Sequence, residues 1–302
     1  MVDTPIAWAA VVINYESGRV LIDAVRALRA DVSAGPVELV VVDNGSTDGS
    51  IDALRAAVPD VTVLQPGANL GYARAANLGI AATSASIVGV FNPDAFLTPG
   101  SARAVIDAFA ADSDLEVIGP RIDNPDGSVY PSARIAPGLV VATGHALLGS
   151  LFPRNRFTTA YRQLDAEAGV ARDVDWVSGA ALWFRREALD RVGGWDERYF
   201  MFLEDIDVCR EIREHQGRIR FEPDARVTHV VGTSRAGAPV RSVVRHHRSA
   251  YRYLDKWWAG PRRLGLPVAA VFLTGRAAVV ALSTRRTERA GTERPKSSDA
   301  SG

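Results

Sequence analysis

The sequence predicts an α/β fold with a mostly parallel central sheet. Three observations carry that prediction. Short unbroken apolar runs recur along the first part of the chain, the pattern of strands covered on both faces. Segments of helical periodicity separate them, so strands and helices alternate. Polar clusters follow the apolar runs directly, at the carboxyl ends of strands, where open α/β sheets bind ligands.

The elements read in order as follows. Ala9–Ile13 is a first buried strand and ends in Asn14-Tyr15-Glu16-Ser17-Gly18. Val20–Leu28 has helical spacing. Glu38–Val42 is a second strand, ending in Asp43-Asn44-Gly45-Ser46-Thr47-Asp48. A helix from about Gly49 stops before Pro59, and Val61–Leu64 is the third strand. Asn69-Leu70-Gly71-Tyr72 leads a helix through Ala82. Ile87–Phe91 is the fourth strand, followed by Asn92-Pro93-Asp94-Ala95. Pro99 opens a helix to about Ala110. Val117–Gly119 is the fifth strand, and Asp126-Gly127 marks a hairpin turn.

Residues 133–172 mix Gly, Pro and Arg and predict loops with a short helix over the site. Ala180–Phe184 then reads as a strand, Arg186–Val192 as a short helix, and Arg218–Phe221 and Val227–Val231 as two further strands, the second containing His229. Between them, Glu204, Asp205 and Asp207 open a helix with Ile206, Cys209 and Ile212 on one apolar stripe. At roughly 100° per residue, Asp205 falls on that stripe, and Glu204 and Asp207 fall outside it. Acids in a first turn can simply complement the helix dipole. An inward-facing acid must instead be paired, metal-bound or reserved for chemistry.

The bulk numbers narrow the class. The chain has 302 residues, 47% hydrophobic and 23% charged, enough for one large domain with an appendage. The single Cys209 excludes a disulfide framework and a Cys-based metal site. The segment Ala7–Ile13 is too short for a signal peptide and no basic residue precedes it, which predicts a cytoplasmic location. Basic residues are 33 Arg and two Lys, and this bias, with the abundant Ala, points to a GC-rich bacterial genome.

Net charge is zero, but it is unevenly placed: residues 235–302 hold 14 Arg/Lys and 4 Asp/Glu, a net +10, which leaves −10 on the rest. That end is also rich in Trp and Arg. It predicts a partner with an anionic surface, and the helical spacing of Val244, His247, Tyr251 and Leu254 predicts a helix there. Leu264–Leu282 is apolar but interrupted by Pro267 and Arg276, leaving fewer than the ~20 residues a bilayer span needs. Leu264–Leu282 is expected to be an interfacial helix within a basic, aromatic, membrane-associating helical segment over 236–283, with a disordered tail over 284–302.

Motifs decide the chemistry. No GxGxxG follows the first strand, and there is no GxxxxGK[ST] or GxSxG. Acids at strand ends suggest a divalent cation held by oxygen ligands and bridging a diphosphate, with Asp94 the first candidate ligand and His229 a second. An acidic body without an aromatic stacking platform argues against nucleic acid.

Five segments together resemble the family-2 glycosyltransferases of GT-A fold: Val11–Tyr15, Val40–Asp48 (VVVDNGSTD), Asn69–Gly79 (NLGYARAANLG), Asn92–Ala95 (NPDA) and Ser178–Arg210. NLGYARAANLG with NPDA and GGWDERYFMFLEDIDVCRE is most similar to the bacterial rhamnosyltransferase-like branch, over roughly residues 8–235. The resemblance implies an inverting enzyme with a nucleotide-sugar half (1–120) and an acceptor half (121–235). It implies that Tyr15 stacks on the donor's pyrimidine, that Asp43 hydrogen-bonds the base, and that Arg74 helps hold the nucleotide. It also implies that Asp94 and His229 bind Mg²⁺ or Mn²⁺, with Asn92 standing where the family's DxD motif has its first Asp. Asp205 corresponds to the general base. Gly179, Ala180, Trp195, Asp196 and Glu204 fall in the acceptor region.

The implied reaction moves a sugar, L-rhamnose from a dTDP donor, onto a polyprenyl-diphosphate-linked GlcNAc at the cytoplasmic face of the cell membrane. A galactofuranosyl- or N-acetylglucosaminyl-transferase using a UDP-sugar is the alternative within the class. An inactive sugar-nucleotide-binding or membrane-scaffold protein is the alternative outside it, and a nucleotidyltransferase lacks its Gly-rich basic loop here. The oligomeric state is open and allows a homodimer.

Overall fold

The computed structural model describes residues 8–135, 152, 154–162, 168–230 and 239–292. Two compact units emerge: Met1–Phe200 with Glu204–Ser234, and Met201–Leu203 with Arg235–Gly302.

The first unit begins as the apolar runs predict. Strands β1 (Trp8–Asn14), β2 (Val37–Asp43), β3 (Thr62–Leu64) and β4 (Ile87–Phe91) pair in parallel in the order β3-β2-β1-β4. Helices α1 (Val20–Ala30), α2 (Ser50–Ala57), α3 (Tyr72–Ala81) and α4 (Ser101–Ala111) complete the alternation. Every residue of β1 is buried, and successive side chains enter opposite layers. Ala9, Val11 and Ile13 pack with Ala73, Ala76 and Ile80 of α3. Ala10 and Val12 pack with Leu21 and Val25 of α1, Leu54 of α2 and Phe109 of α4. Cover on both faces is what makes the run continuously apolar rather than alternating.

The second half of the sheet is mixed. After β5 (Ala95–Leu97) come β6 (Leu115–Asp123), β7 (Val129–Tyr130) and β8 (Ala133–Arg134), then α5 (Arg156–Arg162), β9 (Arg172–Asp173) and β10 (Trp176–Val177). The strand β11 (Ala181–Arg185) inserts between β4 and β6, antiparallel to both. The last strand, β12 (Arg218–His229), runs parallel to β6 and antiparallel to β5. The expected hairpin at Asp126-Gly127 joins β6 to β7. Most of residues 133–172, expected to be loops with a short helix, lies outside the described residues, apart from β8, α5 and the stretch leading to β9.

Two strands expected at 218–221 and 227–231 are one. The register against β6 shifts between Glu222 and Arg226, and this bulge accommodates Pro223 without ending the strand. Helices α6 (Arg186–Val192) and α7 (Glu204–Glu214) cover the α3 side of the sheet through Leu189, Val208, Cys209 and Ile212.

The second unit holds α8 (Pro239–Trp257) and α9 (Leu266–Thr292), joined by a 3₁₀ turn at Gly260–Gly265. Pro267 does not interrupt α9. It sits in the first turn, where a missing N–H costs nothing. Arg276 bonds His247 Nε2 of α8 at 3.0 Å, while His247 Nδ1 lies 2.8 Å from the Val243 carbonyl. The helix continues through Thr292, so residues 284–292, expected to be disordered, are helical: Arg, Glu and Ala extend a helix already nucleated. Residues 293–302 lie outside the described residues.

Candidate active site

The site forms along the carboxyl ends of β1, β2 and β4. Asn14 and Asp43 end adjacent strands in register. Asn14 is wholly buried, and its amide nitrogen lies 3.0 Å from Asp43 Oδ1, 3.1 Å from Ser46 Oγ and 3.1 Å from Ser50 Oγ. Asp43 Oδ1 also accepts from the Ser46 N–H, and Oδ2 accepts from Gln65 Nε2 at 3.2 Å. The carboxylate is therefore oriented from two sides. Tyr15, the next residue, is 38% exposed. Asn44 fastens this corner to the loop before α3, accepting from the Leu70 N–H at 2.7 Å and donating to the Gly71 carbonyl at 3.2 Å. Arg74 is exposed on α3, with Nε 3.5 Å from Glu197 Oε2.

The second cluster comes from a pairing that the sequence reading lacked. The short strand β5 follows Asp94 and pairs Ala95 with His229. This brings Asp94 Oδ1 within 3.0 Å of His229 Nε2, 135 positions apart in the chain. Asn92 Nδ2 lies 3.4 Å from the same ring nitrogen. Asp94 and His229 are both buried, and His229 Nδ1 has no partner among the described residues. An oxygen and an imidazole nitrogen side by side are a partial donor set for a divalent cation. Among the described residues no group of three His, Cys, Asp or Glu side chains converges.

The third part is the start of α7 against the loop between β10 and β11. Asp205 Oδ2 accepts from the Gly179 N–H at 2.9 Å and Oδ1 from its neighbour Ile206 N–H at 2.9 Å. Exclusion of water pushes the Asp205 carboxyl above its ordinary range, more than these bonds and Arg134 pull it down. This loop meets the second cluster through the Asn92 N–H, which donates to the Ala180 carbonyl at 2.9 Å. Between them stands Tyr72, whose phenol feels the charges of Glu204, Asp205 and Asp94. Asp94, His229, Asn92, Gly179, Ala180 and Asp205 thus belong to one neighbourhood.

Several expectations need correction. Helical phase singled out Asp205 as the buried acid, yet Asp205 is half-buried, while Glu204 (7% exposed) and Asp207 (1%) are enclosed. Phase assumes one wet face. The preceding segment covers the first turn here, with Tyr199 donating to Asp207 Oδ1 at 3.1 Å. Trp195 was expected to line an acceptor pocket. It is 1% exposed and packs its ring between Tyr72 (5.6 Å) and Phe184 (5.7 Å). Asp196 is engaged by Arg198, whose Nε and Nη2 both reach its carboxylate.

The reading also missed three supports. Asn77 bridges the Trp195 backbone, accepting from its N–H and donating to its carbonyl, both at 2.9 Å. Asn14 orients Asp43. Tyr72 donates to the Gly179 carbonyl at 2.6 Å. Polar side chains in NLGYARAANLG and at the end of β1 were the available signal, since a buried Asn or Tyr must find partners.

Comparisons with known proteins bear on this arrangement. The profile described as Glycosyltransferase like family 2 matches residues 5–251. An N-acetylglucosaminyl-diphospho-decaprenol L-rhamnosyltransferase of Mycobacterium tuberculosis (strain ATCC 25618 / H37Rv) is 41% identical over 243 residues, covering 76% of this chain and 79% of that protein. Among solved structures, mannosyltransferase PcManGT from Pyrobaculum calidifontis, in complex with GDP-Man and Mn²⁺, superposes with a TM-score of 0.56 at 18% identity, covering 94% of this chain and 76% of that one. GalNAc-T7 with UDP, GalNAc and Mn²⁺ gives 0.53 at 14% identity, over 76% of this chain and 44% of that one. A polar rim at parallel strand ends, the Asn92-Pro93-Asp94 turn beside His229, and a profile match over most of the chain agree: this chain belongs to glycosyltransferase family 2 and has the GT-A fold.

Proposed function

We propose that the chain transfers L-rhamnose from dTDP-L-rhamnose, with inversion, to N-acetylglucosamine carried on a polyprenyl diphosphate. The observation that carries the reading is the 41% identity to the mycobacterial rhamnosyltransferase over 243 residues. The geometry supplies a consistent mechanism. Tyr15 and Asp43 receive the nucleotide base at the ends of β1 and β2, and Arg74 flanks the nucleotide. Asp205 takes the proton from an acceptor hydroxyl, which attacks the anomeric carbon as the nucleoside diphosphate leaves from the opposite face. A single displacement needs one base and no enzyme nucleophile. The raised affinity of Asp205 for a proton suits that role.

Asp94 and His229 are the side chains that would hold Mg²⁺ or Mn²⁺. When bound, the cation neutralises charge on the departing diphosphate. An imidazole ligand favours Mn²⁺ over Mg²⁺, which prefers oxygen.

The acceptor class also fits the second unit. One side of α9 packs on α8, and the other presents Val268, Val271, Phe272 and Val279 to solvent at helical spacing, with Leu264 of the preceding 3₁₀ turn also exposed. Within Gly260–Ala281 an 18-residue window has mean hydropathy 1.8 and only 6% of it is buried, so the run expected to be too short is by length and composition long and apolar enough to cross a membrane. An apolar face with Arg262 and Arg263 exposed at one end is suited to an anionic lipid surface, so we read this unit as a peripheral membrane contact on the cytoplasmic face. The test of the reading is a panel of dTDP- and UDP-sugars offered with a short polyprenyl-diphosphate-GlcNAc acceptor. Selective consumption of dTDP-L-rhamnose is expected. Preference for a UDP-sugar would move the chain to the galactofuranosyl- or N-acetylglucosaminyl-transferase reading.

A further inference from the structure

We propose that Tyr72 is a positioning residue for the base: its hydroxyl fixes the Gly179 segment, and that segment aims the Asp205 carboxylate. The inference rests on the reading of Asp205 as the base. It starts from the shape of the loop between β10 and β11. Gly179 uses its N–H on Asp205 Oδ2 at 2.9 Å and its carbonyl on Tyr72 at 2.6 Å, so both sides of its Cα are held. On either side, the Ser178 N–H donates to the Ser132 carbonyl at 2.8 Å, and the Ala180 carbonyl accepts from Asn92 at 2.9 Å. A Cβ at position 179 would stand 3.2 Å from Asp205 Cβ and 3.3 Å from Oδ2, so glycine lets the loop and the acid approach this closely.

Tyr72 is itself anchored. Its N–H donates to the Phe200 carbonyl at 2.7 Å, and its ring packs on Trp195. Asn77, five residues further along α3, holds the Trp195 backbone on both sides. The phenol is therefore a fixed strut and not a mobile side chain. It also keeps its proton: burial and the nearby Glu204, Asp205 and Asp94 charges push its pKa well above the usual tyrosine range. Tyr72 cannot serve as an acid or base near neutrality, but it is a constant donor.

Burial raises the Asp205 carboxyl, while the Gly179 and Ile206 N–H groups and Arg134 of β8 favour its ionised form. Tyr72 of α3 and Cys209 of α7 lie close enough to feel its charge. Tyr72 acts on the carboxylate through the Gly179 backbone. Removing its hydroxyl frees that segment and weakens the Gly179 N–H bond to the carboxylate. Loss of a hydrogen bond to the ionised form raises its pKa.

The experiment uses the full-length chain with Tyr72→Phe, which keeps the ring contact with Trp195, alongside Gly179→Ala and Asp205→Asn. For Tyr72→Phe we expect kcat to fall about 5- to 10-fold, the worth of one net hydrogen bond. Donor KM should be unchanged, and the acidic limb of the pH–rate profile should move to higher pH. Gly179→Ala should lower kcat further, because the new methyl group displaces the carboxylate. A kcat and an acidic limb both at wild-type values in Tyr72→Phe, with Asp205→Asn inactive, would overturn the positioning role and leave the base intact. Wild-type kcat in Asp205→Asn would instead remove the base, and the proposal with it.

Discussion

Replacing Asp205 with Asn keeps the size and shape of the side chain and removes only its capacity to take a proton. Two N–H donors point at this carboxylate, from Gly179 and from Ile206, each at 2.9 Å. An amide can accept from one and must turn its NH₂ towards the other. The mismatch strands a donor, at about 1–3 kcal/mol. An opposing effect accompanies it. The Asp205 carboxyl is raised in the folded protein, so between its unfolded and folded pKa values the native state holds a proton that the unfolded state has released. Stability therefore falls as pH rises through that window, and the full cost is present above the folded pKa. Asn has no such cost. At neutral pH the two effects partly cancel, and the melting temperature should move little.

The rate should move far more. Loss of a general base lowers kcat by roughly 10²–10⁴-fold, or about 3–5 kcal/mol at 1.36 kcal/mol per decade. The assay pairs initial rates of rhamnosyl transfer with calorimetric titration of dTDP. The expected result is a collapse of kcat with nucleotide affinity preserved. A kcat within about threefold of wild type would refute the reasoning, because no mechanism that needs a base tolerates its removal so cheaply.

Other predictions follow from the same geometry. The wild-type rate should fall on acidification through the raised Asp205 pKa, with an acidic limb above the ordinary aspartate value near 4; a limb at or below that value would show an unperturbed carboxyl. Asp94→Ala and His229→Ala should each abolish the difference in donor affinity measured with Mn²⁺ and with EDTA; a persisting difference would place the cation elsewhere. Gly71→Ala puts a Cβ 2.5 Å from the Phe200 carbonyl oxygen at φ +87, so it should cost about 1–3 kcal/mol and lower Tm by several degrees in a thermal scan. Val271→Asp with Phe272→Asp should weaken sedimentation with anionic vesicles at least about tenfold, since each apolar side chain contributes about 1.5–3 kcal/mol when fully buried; equal sedimentation would remove α9 as the contact.

How much of this was legible in the sequence depended on the range of the interactions. The parallel half of the sheet could be read because burial on both faces leaves a local mark, the apolar runs of β1, β2 and β4. Strand-end polar residues could be read for the same reason. The pairing of Asp94 with His229 could not. It depends on the three-residue strand β5 and on a register with β12 set by contacts 130 or more positions apart, such as Ala95 with His229. The insertion of antiparallel β11 between β4 and β6 was hidden in the same way, because a buried strand looks alike in either direction. Phase failed at α7 for a different reason. The rule that a helix has one wet face breaks down where Tyr199 and its neighbours cover the first turn, so Asp207 is more buried than Asp205. Tyr72 was passed over because its partner is a backbone carbonyl 107 positions away.

The central claim, rhamnosyl transfer with inversion onto a lipid-linked GlcNAc, is tested most directly by the stereochemistry of the product. Full-length protein is incubated with dTDP-L-rhamnose, Mn²⁺ and a short polyprenyl-diphosphate-GlcNAc, and the isolated disaccharide product is examined by NMR. The account predicts a single rhamnosyl-GlcNAc linkage whose anomeric configuration is opposite to that of the donor. Retention of configuration would contradict the single-displacement role of Asp205, and no rhamnosyl product beside efficient transfer from a UDP-sugar would contradict the donor.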